Sequence, residues 1–203
     1  MSKTILFIDG QNLLKLAAAS LFAEESKRRK FDPLLLNYRQ LFDGALGELK
    51  LDEQWFYAAK IRRHPDSVKQ SERLIEKQRQ LKTLLDKQGF KTIIAGSVRG
   101  NYITDGHGKK ILVFKEKGVD VHLAVDAVDL AGDQAITTAV ICSSDSDLQP
   151  AITKLKRRGV EVIYVGFESL QNRGLTYTCE RTILFRDAEL RKAYGADAGS
   201  STA

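Results

Sequence analysis

Short apolar runs alternate with segments of helical periodicity along most of this chain. The apolar runs lie at 4–8, 54–61, 90–99, 136–142, 160–165 and 181–185. Apolar residues recur at the spacing of an amphipathic helix over 12–25, 37–49, 65–88, 119–130 and 148–158. Strands that alternate with helices of this length are typical of a parallel α/β sheet. The pattern therefore predicts an α/β fold, in which the uninterrupted apolar run 4–8 is a central strand covered on both faces.

One segment departs from this alternation. Residues 105–108 read Asp-Gly-His-Gly, which is a turn signal, and the apolar run 110–114 follows it as a return strand. We therefore predict a hairpin excursion over about 97–115. The chain has 203 residues, three prolines and no Gly/Ser tract that would separate two domains. We expect one domain over residues 1–194, followed by a small, polar, disordered tail over 195–203.

Charge and cysteine content bound the function without defining it. The net charge is +6 and the pI is about 9.3, which fits either a polyanionic partner or an ordinary basic protein. Cys142 and Cys179 are too few for a disulfide framework or a zinc quartet. The first residues are typical of a strand rather than a signal peptide, and no apolar run approaches the roughly 20 residues that cross a bilayer. We therefore expect a protein of the reducing cytoplasm without a membrane partner.

Aspartates follow two of the predicted strands. Asp9 ends the run 4–8, and Asp145 and Asp147 follow the run 136–142. Ligands of open parallel sheets bind beyond the carboxyl ends of the strands, so these carboxylates converge if the two strands are neighbours. Asp120 begins the helix that precedes the second of these strands and can face the same edge. Asp126 lies six residues further, about 240° around the helix, and cannot share the face of Asp120.

Each of these residues also has an ordinary structural interpretation. Asp147 is predicted to cap the helix over 148–158, and Asn12 is a candidate cap for the first helix. Asp120 could simply complement a helix dipole. Asp9 has the weakest alternative, because an apolar run precedes it and a glycine follows.

Clustered carboxylates repel one another, and a hard divalent cation removes that repulsion. Mg²⁺ takes oxygen ligands and leaves positions for a substrate phosphate, which it polarises while activating a water. The histidines His64, His107 and His122 are scattered, which disfavours zinc. A haloacid-dehalogenase-type phosphatase needs a second aspartate where Gln11 stands, and no P-loop, GxGxxG fingerprint after the first strand, or GxSxG elbow is present.

Four segments of the chain carry a family resemblance: ILFIDGQNLL at 5–14, KEKGVDVHLAVDAVDLA at 115–131, AVICSSDSDLQPAI at 139–152 and GVEVIYVGF at 159–167. In order and spacing they resemble the NYN domain, a PIN-like nuclease family, and particularly its LabA-like group. The resemblance implies a three-layer α/β/α sandwich with a central, mostly parallel sheet. It also implies a carboxylate site for Mg²⁺ or Mn²⁺ and ribonuclease activity.

The motif positions assign roles to individual residues. The implied metal ligands are Asp9, Asp120, Asp145 and Asp147. The resemblance further implies that Asn12 and Ser143 orient carboxylates or the attacking water, and that Asp126 is a recurrent acidic position of less defined role. Two positions depart from the family motif: Ser144 stands where glycine is usual and Leu148 where phenylalanine is usual. A side chain at Ser144 bears on how closely a ligand can approach the backbone there.

The leading hypothesis is a metal-dependent endoribonuclease in which water attacks the phosphate in line and the 3′-hydroxyl leaves. The residues expected to hold the RNA backbone are Arg62, Arg63, Arg99, Lys109, Lys110, Lys115 and Lys117. One alternative is a catalytically weak or inactive RNA-binding, regulatory protein that keeps the fold. Another is a DNA-directed or structure-specific nuclease, because the sequence has no feature that reads the 2′-hydroxyl. Homodimer formation stays open.

Overall fold

A seven-stranded sheet organises the part of the chain that the computed structural model describes, which is residues 2–22, 31–104, 106, 108 and 110–195. The strands are β1 (Lys3–Asp9), β2 (Glu53–Lys60), β3 (Lys91–Thr104), β4 (Lys110–Lys117), β5 (Ile136–Cys142), β6 (Glu161–Phe167) and β7 (Arg181–Phe185). Their order is β4-β3-β2-β1-β5-β6-β7, and all neighbours are parallel except β3 and β4. The prediction for Lys109 lies outside the described residues, as does the predicted tail over 195–203 apart from its first residue.

Helices cover both faces of this sheet. They are α1 (Gly10–Leu21), α2 (Tyr38–Leu46), α3 (Val68–Lys87), α4 (Val119–Gly132), α5 (Gln149–Arg157), α6 (Arg173–Thr178) and α7 (Asp187–Ala193). One core contains α1, α2, α7 and the last turns of α3, and the other contains α4, α5 and α6. The predicted three-layer α/β/α architecture is therefore confirmed. None of the described helices is long and apolar enough to span a membrane.

The apolar run at the start of the chain forms the central strand. Ile5 to Ile8 are at most 1% exposed, and β1 lies between β2 and β5. The register pairs Ile8 with Cys142, so β1 and β5 end at the same edge of the sheet. The connections after these strands lead to opposite faces, because α1 packs in one core and α5 in the other. This is a topological switch point, where a crevice forms between the diverging connections.

The predicted hairpin is present as β3 and β4, and its strands are longer than the sequence suggested. The antiparallel register runs from Ser97 opposite Lys117 to Thr104 opposite Lys110. At its base, Gly96 has φ +70°, and a Cβ there would meet the carbonyl oxygen of Lys117 and lie 3.0 Å from the backbone nitrogen of Val119. Glycine therefore permits β3 to contact the start of α4 closely.

The start of α1 is built around a similar close contact. A Cβ on Gly10 would lie 2.6 Å from both Cζ of Phe56 and the carbonyl oxygen of Tyr57. We expect Gly10→Ala to lower the free energy of unfolding by about 1–3 kcal/mol, since the Tyr57 carbonyl oxygen belongs to the backbone of β2 and cannot move without displacing that strand. The measurement is urea unfolding at equilibrium.

The matched control is Gly44→Ala within α2, where a Cβ meets nothing within 4 Å. It should raise stability by about 0.5–1 kcal/mol, because alanine loses less conformational entropy than glycine in a helix. Equal stability of Gly10→Ala and the wild type would contradict the packing described for this junction.

Candidate metal centre

A cleft of about 320 Å³ opens where β1 and β5 end. We call it the acid cleft. Its lining residues are Asp9, Gln11, Asn12, Lys15, Glu116, Lys117, Gly118, Asp120 and Asp145. Three of the four predicted metal ligands therefore lie together, and they come from three places in the chain: the end of β1, the first turn of α4 and the loop after β5.

Asp9 is the most buried of these acids, at 6% exposed. Its Oδ1 accepts a hydrogen bond of 3.0 Å from the Asn12 backbone N–H, and its Oδ2 accepts one of 3.4 Å from the Ser143 hydroxyl. Burial raises the pKa of Asp9, and the nearby Asp120 and Asp145 carboxylates add to that rise, while the two hydrogen bonds oppose it. Because its Oδ1 accepts from the Asn12 backbone N–H, Asp9 is the N-cap of α1, and the prediction that Asn12 caps this helix is wrong.

Asn12 and Ser143 instead connect the ends of the two strands. The Asn12 Oδ1 accepts from the Ser144 backbone N–H at 2.9 Å. The Ser143 hydroxyl, besides donating to Asp9, accepts from the Asp145 backbone N–H at 3.2 Å. Ser143 thus contacts two residues that carry carboxylates, and Asn12 holds the backbone of Ser144, the residue before Asp145.

Ser144, which stands where the family motif usually has glycine, directs its hydroxyl towards Tyr164 rather than into the acid cleft. The Ser144 hydroxyl lies 2.8 Å from the Tyr164 hydroxyl of β6, which also accepts from the Asn172 backbone N–H. The Asn172 amide in turn donates to the Ser144 carbonyl at 2.9 Å. Ser144 is not among the residues that line the acid cleft.

The capping role expected of Asp147 belongs to Asp145, which also lines the acid cleft. The Asp145 Oδ1 accepts from the Asp147 backbone N–H at 3.0 Å and caps a 3₁₀ turn over Ser146–Leu148. α5 starts at Gln149 without a side-chain cap, so the prediction that Asp147 caps this helix is wrong. Asp147 lines a different groove of about 420 Å³ between α4 and α5, which it shares with Asp120.

α4 presents Asp120 and Asp126 in different directions, as the helical spacing predicted. Asp120 lies in the first turn, after Gly118, which takes the left-handed conformation with φ +83°. The Asp126 Oδ2 accepts from the Tyr57 hydroxyl at 2.9 Å and so joins α4 to β2. Asp126 does not line the acid cleft.

Glu116 is a further acid of the cleft that the sequence analysis missed. Burial raises its pKa to about 7, with Asp9 and Asp120 contributing, against a hydrogen bond from the Ala59 backbone. The predicted return strand ended at residue 114, whereas β4 continues to Lys117. Strand alternation extended by one more pair, opposite Val98, would have identified Glu116.

Lys15 was also missed. It follows Gln11 and Asn12 at the four- and three-residue spacing that places side chains on one helix face, and all three line the cleft. A search for residues at this spacing after Asp9 would have found it.

The ligand atoms that the acid cleft offers are of the type that a hard divalent cation prefers. The cleft supplies carboxylates and an amide, and no described ion pair involves Asp9, Asp120 or Asp145. Burial is the main cause of the raised pKa of Asp9 and of Glu116, and repulsion from neighbouring carboxylates adds to it; a bound cation would oppose both effects by favouring the ionised carboxylates. Across the described ranges, however, no three His, Cys, Asp or Glu side chains are close enough to form a ready ion site. The carboxylates line one cleft without surrounding a single point.

The predicted RNA-contacting residues fall into separate groups. Arg99 lies opposite Lys115, and Lys117 is two residues further along β4, so these three exposed side chains share one face of the hairpin. Lys110 pairs with Thr104 and lies on the other face. Arg62 and Arg63 are exposed in the connection after β2, where Arg63 forms an ion pair with Glu72.

Comparison with known proteins adds a family and a fold. The family profile described as NYN domain matches residues 3–186. A stretch of 50 residues is 46% identical to Uncharacterized protein MJ0482 of Methanocaldococcus jannaschii, covering 25% of this chain and 21% of that protein. The chain thus spans about a fifth of the length of this curated relative. The crystal structure of VPA0982, a protein of unknown function from Vibrio parahaemolyticus RIMD 2210633, is similar with a TM-score of 0.55 and 17% identity, covering 90% of this chain and 93% of that one. This second similarity concerns the fold alone.

The raised pKa of Glu116 predicts a pH-dependent effect of Glu116→Gln in metal-free protein. The folded protein keeps this proton up to about pH 7, whereas the ordinary value is 4.5, so the contribution of Glu116 to stability falls as the pH rises between these values. Glutamine carries no such charge. We expect Glu116→Gln to melt at a higher temperature than the wild type at about pH 8, with the difference shrinking towards about pH 5.

The measurement is thermal unfolding in EDTA across this pH range. The control is Glu48→Gln, which changes an exposed glutamate in the turn after α2. A Glu116→Gln difference that is the same at every pH would contradict the electrostatic origin of the effect.

Proposed function

The chain belongs to the NYN domain family, a PIN-like family whose members are generally ribonucleases, and we propose that it is a metal-dependent endoribonuclease. The observation that carries the proposal is the convergence of Asp9, Asp120 and Asp145, together with Glu116, in one cleft at the switch point of the sheet. The segments 5–14, 115–131, 139–152 and 159–167 support placing it in the LabA-like group. Two buried, reduced cysteines are consistent with a cytoplasmic setting.

In this proposal the carboxylates of the acid cleft bind Mg²⁺ or Mn²⁺. When bound, such an ion polarises the phosphoryl group and lowers the pKa of a coordinated water. Asp9 and Asp145 would be the most firmly positioned ligands, because each accepts a backbone hydrogen bond as a cap and each contacts Ser143. Asp147 would contribute its carboxylate from the side of the groove that it shares with Asp120. Relief of carboxylate repulsion on metal binding would draw these side chains towards one another.

The chain's cations would position the RNA. Lys15 and Lys117 line the acid cleft and can neutralise the phosphate next to the scissile bond. Arg99 and Lys115 continue this positive surface along the same face of the hairpin as Lys117. Water attack in line with the leaving 3′-hydroxyl would then occur where the phosphate meets the carboxylates.

Substitution of a single carboxylate tests the proposed ribonuclease activity. We expect Asp145→Asn to reduce cleavage of single-stranded RNA in Mg²⁺ or Mn²⁺ by about 100-fold or more, because it removes a charged ligand. Asparagine retains the side-chain oxygen that caps the 3₁₀ turn, so the melting temperature should change little. The measurement is the cleavage rate with a panel of labelled RNAs, with EDTA abolishing wild-type activity.

Asp133→Asn is the matched control, since it removes an exposed aspartate at the end of α4. Wild-type protein that binds RNA and cleaves none of the panel in either metal would favour the RNA-binding, regulatory alternative. Preferential cleavage of DNA of the same sequence in a competition experiment would show that the substrate is DNA rather than RNA.

The hairpin face makes a separate prediction about affinity. We expect Lys115→Ala to weaken binding to all single-stranded RNAs alike and to reduce the slope of log affinity against log salt by about 0.7, the value for one lost phosphate contact. The measurement is fluorescence anisotropy at several salt concentrations. Lys192→Ala removes an equal charge from α7, which follows β7 at the opposite edge of the sheet. An equal loss in both variants would show that RNA does not follow the hairpin.

A further inference from the structure

A further cavity, of about 450 Å³, lies between α3 and the sheet. We call it the α3 cavity. It adjoins the acid cleft directly, because Gln11, Lys15 and Glu116 line both spaces. Its volume is within the range of about 300–1,000 Å³ typical of small-molecule and cofactor sites.

The cavity exists because α3 is held against the protein mainly near its ends. Ser71 is fully buried near its start, and Leu85 is fully buried near its end. Between them, Leu81 is only partly buried and lines the cavity. The facing position of β2 is Ala58, whose side chain is too small to fill the space, whereas the Ala59 side chain packs in the core on the other face of the sheet. The gap is therefore built by the sequence of two elements.

The lining combines apolar walls with a few polar groups. Phe114 of β4 is half-buried and offers an aromatic surface. The Gln78 amide donates to the Ala59 carbonyl at 2.7 Å, which leaves its own carbonyl oxygen as a further acceptor. The Thr92 hydroxyl is buried and has no hydrogen-bond partner within the described residues. Buried polar groups are generally paired, so an unpaired hydroxyl in a cavity wall suits a ligand that supplies the partner.

We propose that the α3 cavity receives one unstacked base of the RNA whose backbone lies in the acid cleft. This inference rests on the proposed function. Bases of single-stranded RNA are recognised by aromatic stacking and by hydrogen bonds to their edges, and the α3 cavity offers both. Phe114 and Glu116 are two residues apart on one strand face, about 7 Å, so a base on Phe114 belongs to a nucleotide at or next to the carboxylates.

Lys15 connects the two spaces. It is exposed on α1, it lines both the acid cleft and the α3 cavity, and no described ion pair involves it. A phosphate that joins a base in the cavity to the reacting phosphate would pass this ammonium group. Charge complementarity therefore favours a nucleotide over an uncharged apolar ligand at this junction.

The experiment compares RNA oligonucleotides that each lack one base, at successive positions around the cleavage site. For the wild type, we expect removal of one particular base near that site to raise KM and weaken binding by roughly 5- to 150-fold, the range for one stacked base. Removal of bases further away should have smaller effects. Affinity is measured by anisotropy and KM by cleavage of the same oligonucleotides.

Two substitutions connect this sensitivity to the cavity. Leu81→Trp fills the space from α3, and Phe114→Ala removes the aromatic wall. Both should weaken binding of the intact RNA while losing the sensitivity to the missing base, whereas Phe114→Tyr should behave like the wild type. Ile75→Trp is the control, since Ile75 is a partly buried residue of α3 that does not line the cavity. Circular dichroism establishes that each variant is folded.

The outcomes separate this inference from the proposed function. RNA cleavage without any position-specific effect of base removal overturns the base site and leaves the nuclease intact. The same result follows if Leu81→Trp retains the full sensitivity. RNA binding without cleavage overturns the nuclease, and the affinities of the oligonucleotides lacking one base then decide the base site alone.

Discussion

The site depends on a buried carboxylate at the end of the central strand. Asp9 follows four consecutive residues that are almost completely inaccessible, and a charge in that position is costly unless hydrogen bonds satisfy it. The protein provides them from both sides: the first turn of α1 donates through Asn12, and the loop after β5 donates through Ser143. Ser143 also accepts from the backbone of Asp145. Satisfying Asp9 therefore joins the ends of two strands and brings a second carboxylate to the same place.

Much of the fold was predictable from local pattern. The run before Asp9 is apolar at every position because both of its faces are covered, and the helices reveal themselves by amphipathic spacing. Parallel connectivity then leads the carboxyl ends of β1 and β5 to one edge, but the sequence predicted the proximity of Asp9 and Asp145 only on condition that the two strands are neighbours, which the sheet order establishes. α6 was not predicted, because the six residues Arg173–Thr178 are too few for helical periodicity to register.

The details of the site were less accessible because they depend on a few hydrogen bonds of tertiary origin. Asp145 and Asp147 are both plausible caps by residue type, and only the path of the loop determines that Asp145 accepts from Asp147. Asn12 likewise could cap α1, but Asp9 already does so and leaves the Asn12 amide to bind Ser144. Glu116 lines the cleft because β4 continues beyond the apolar run 110–114 from which its length was predicted. In each case the type of residue could be read from the sequence, whereas its contacts in the folded protein could not.

The junction between the hairpin and α4 has an evolutionary consequence. Gly118 alone separates β4 from α4, so Glu116, Lys117 and Asp120 lie within five consecutive residues, while Gly96 keeps this stretch against β3. At the opposite end of the hairpin, the described residues Thr104 and Lys110 do not line the acid cleft. Insertions or deletions there would change the reach of the hairpin without altering the spacing of the carboxylates. Natural variants of this architecture should therefore differ in hairpin length more readily than in the residues that join its base to α4.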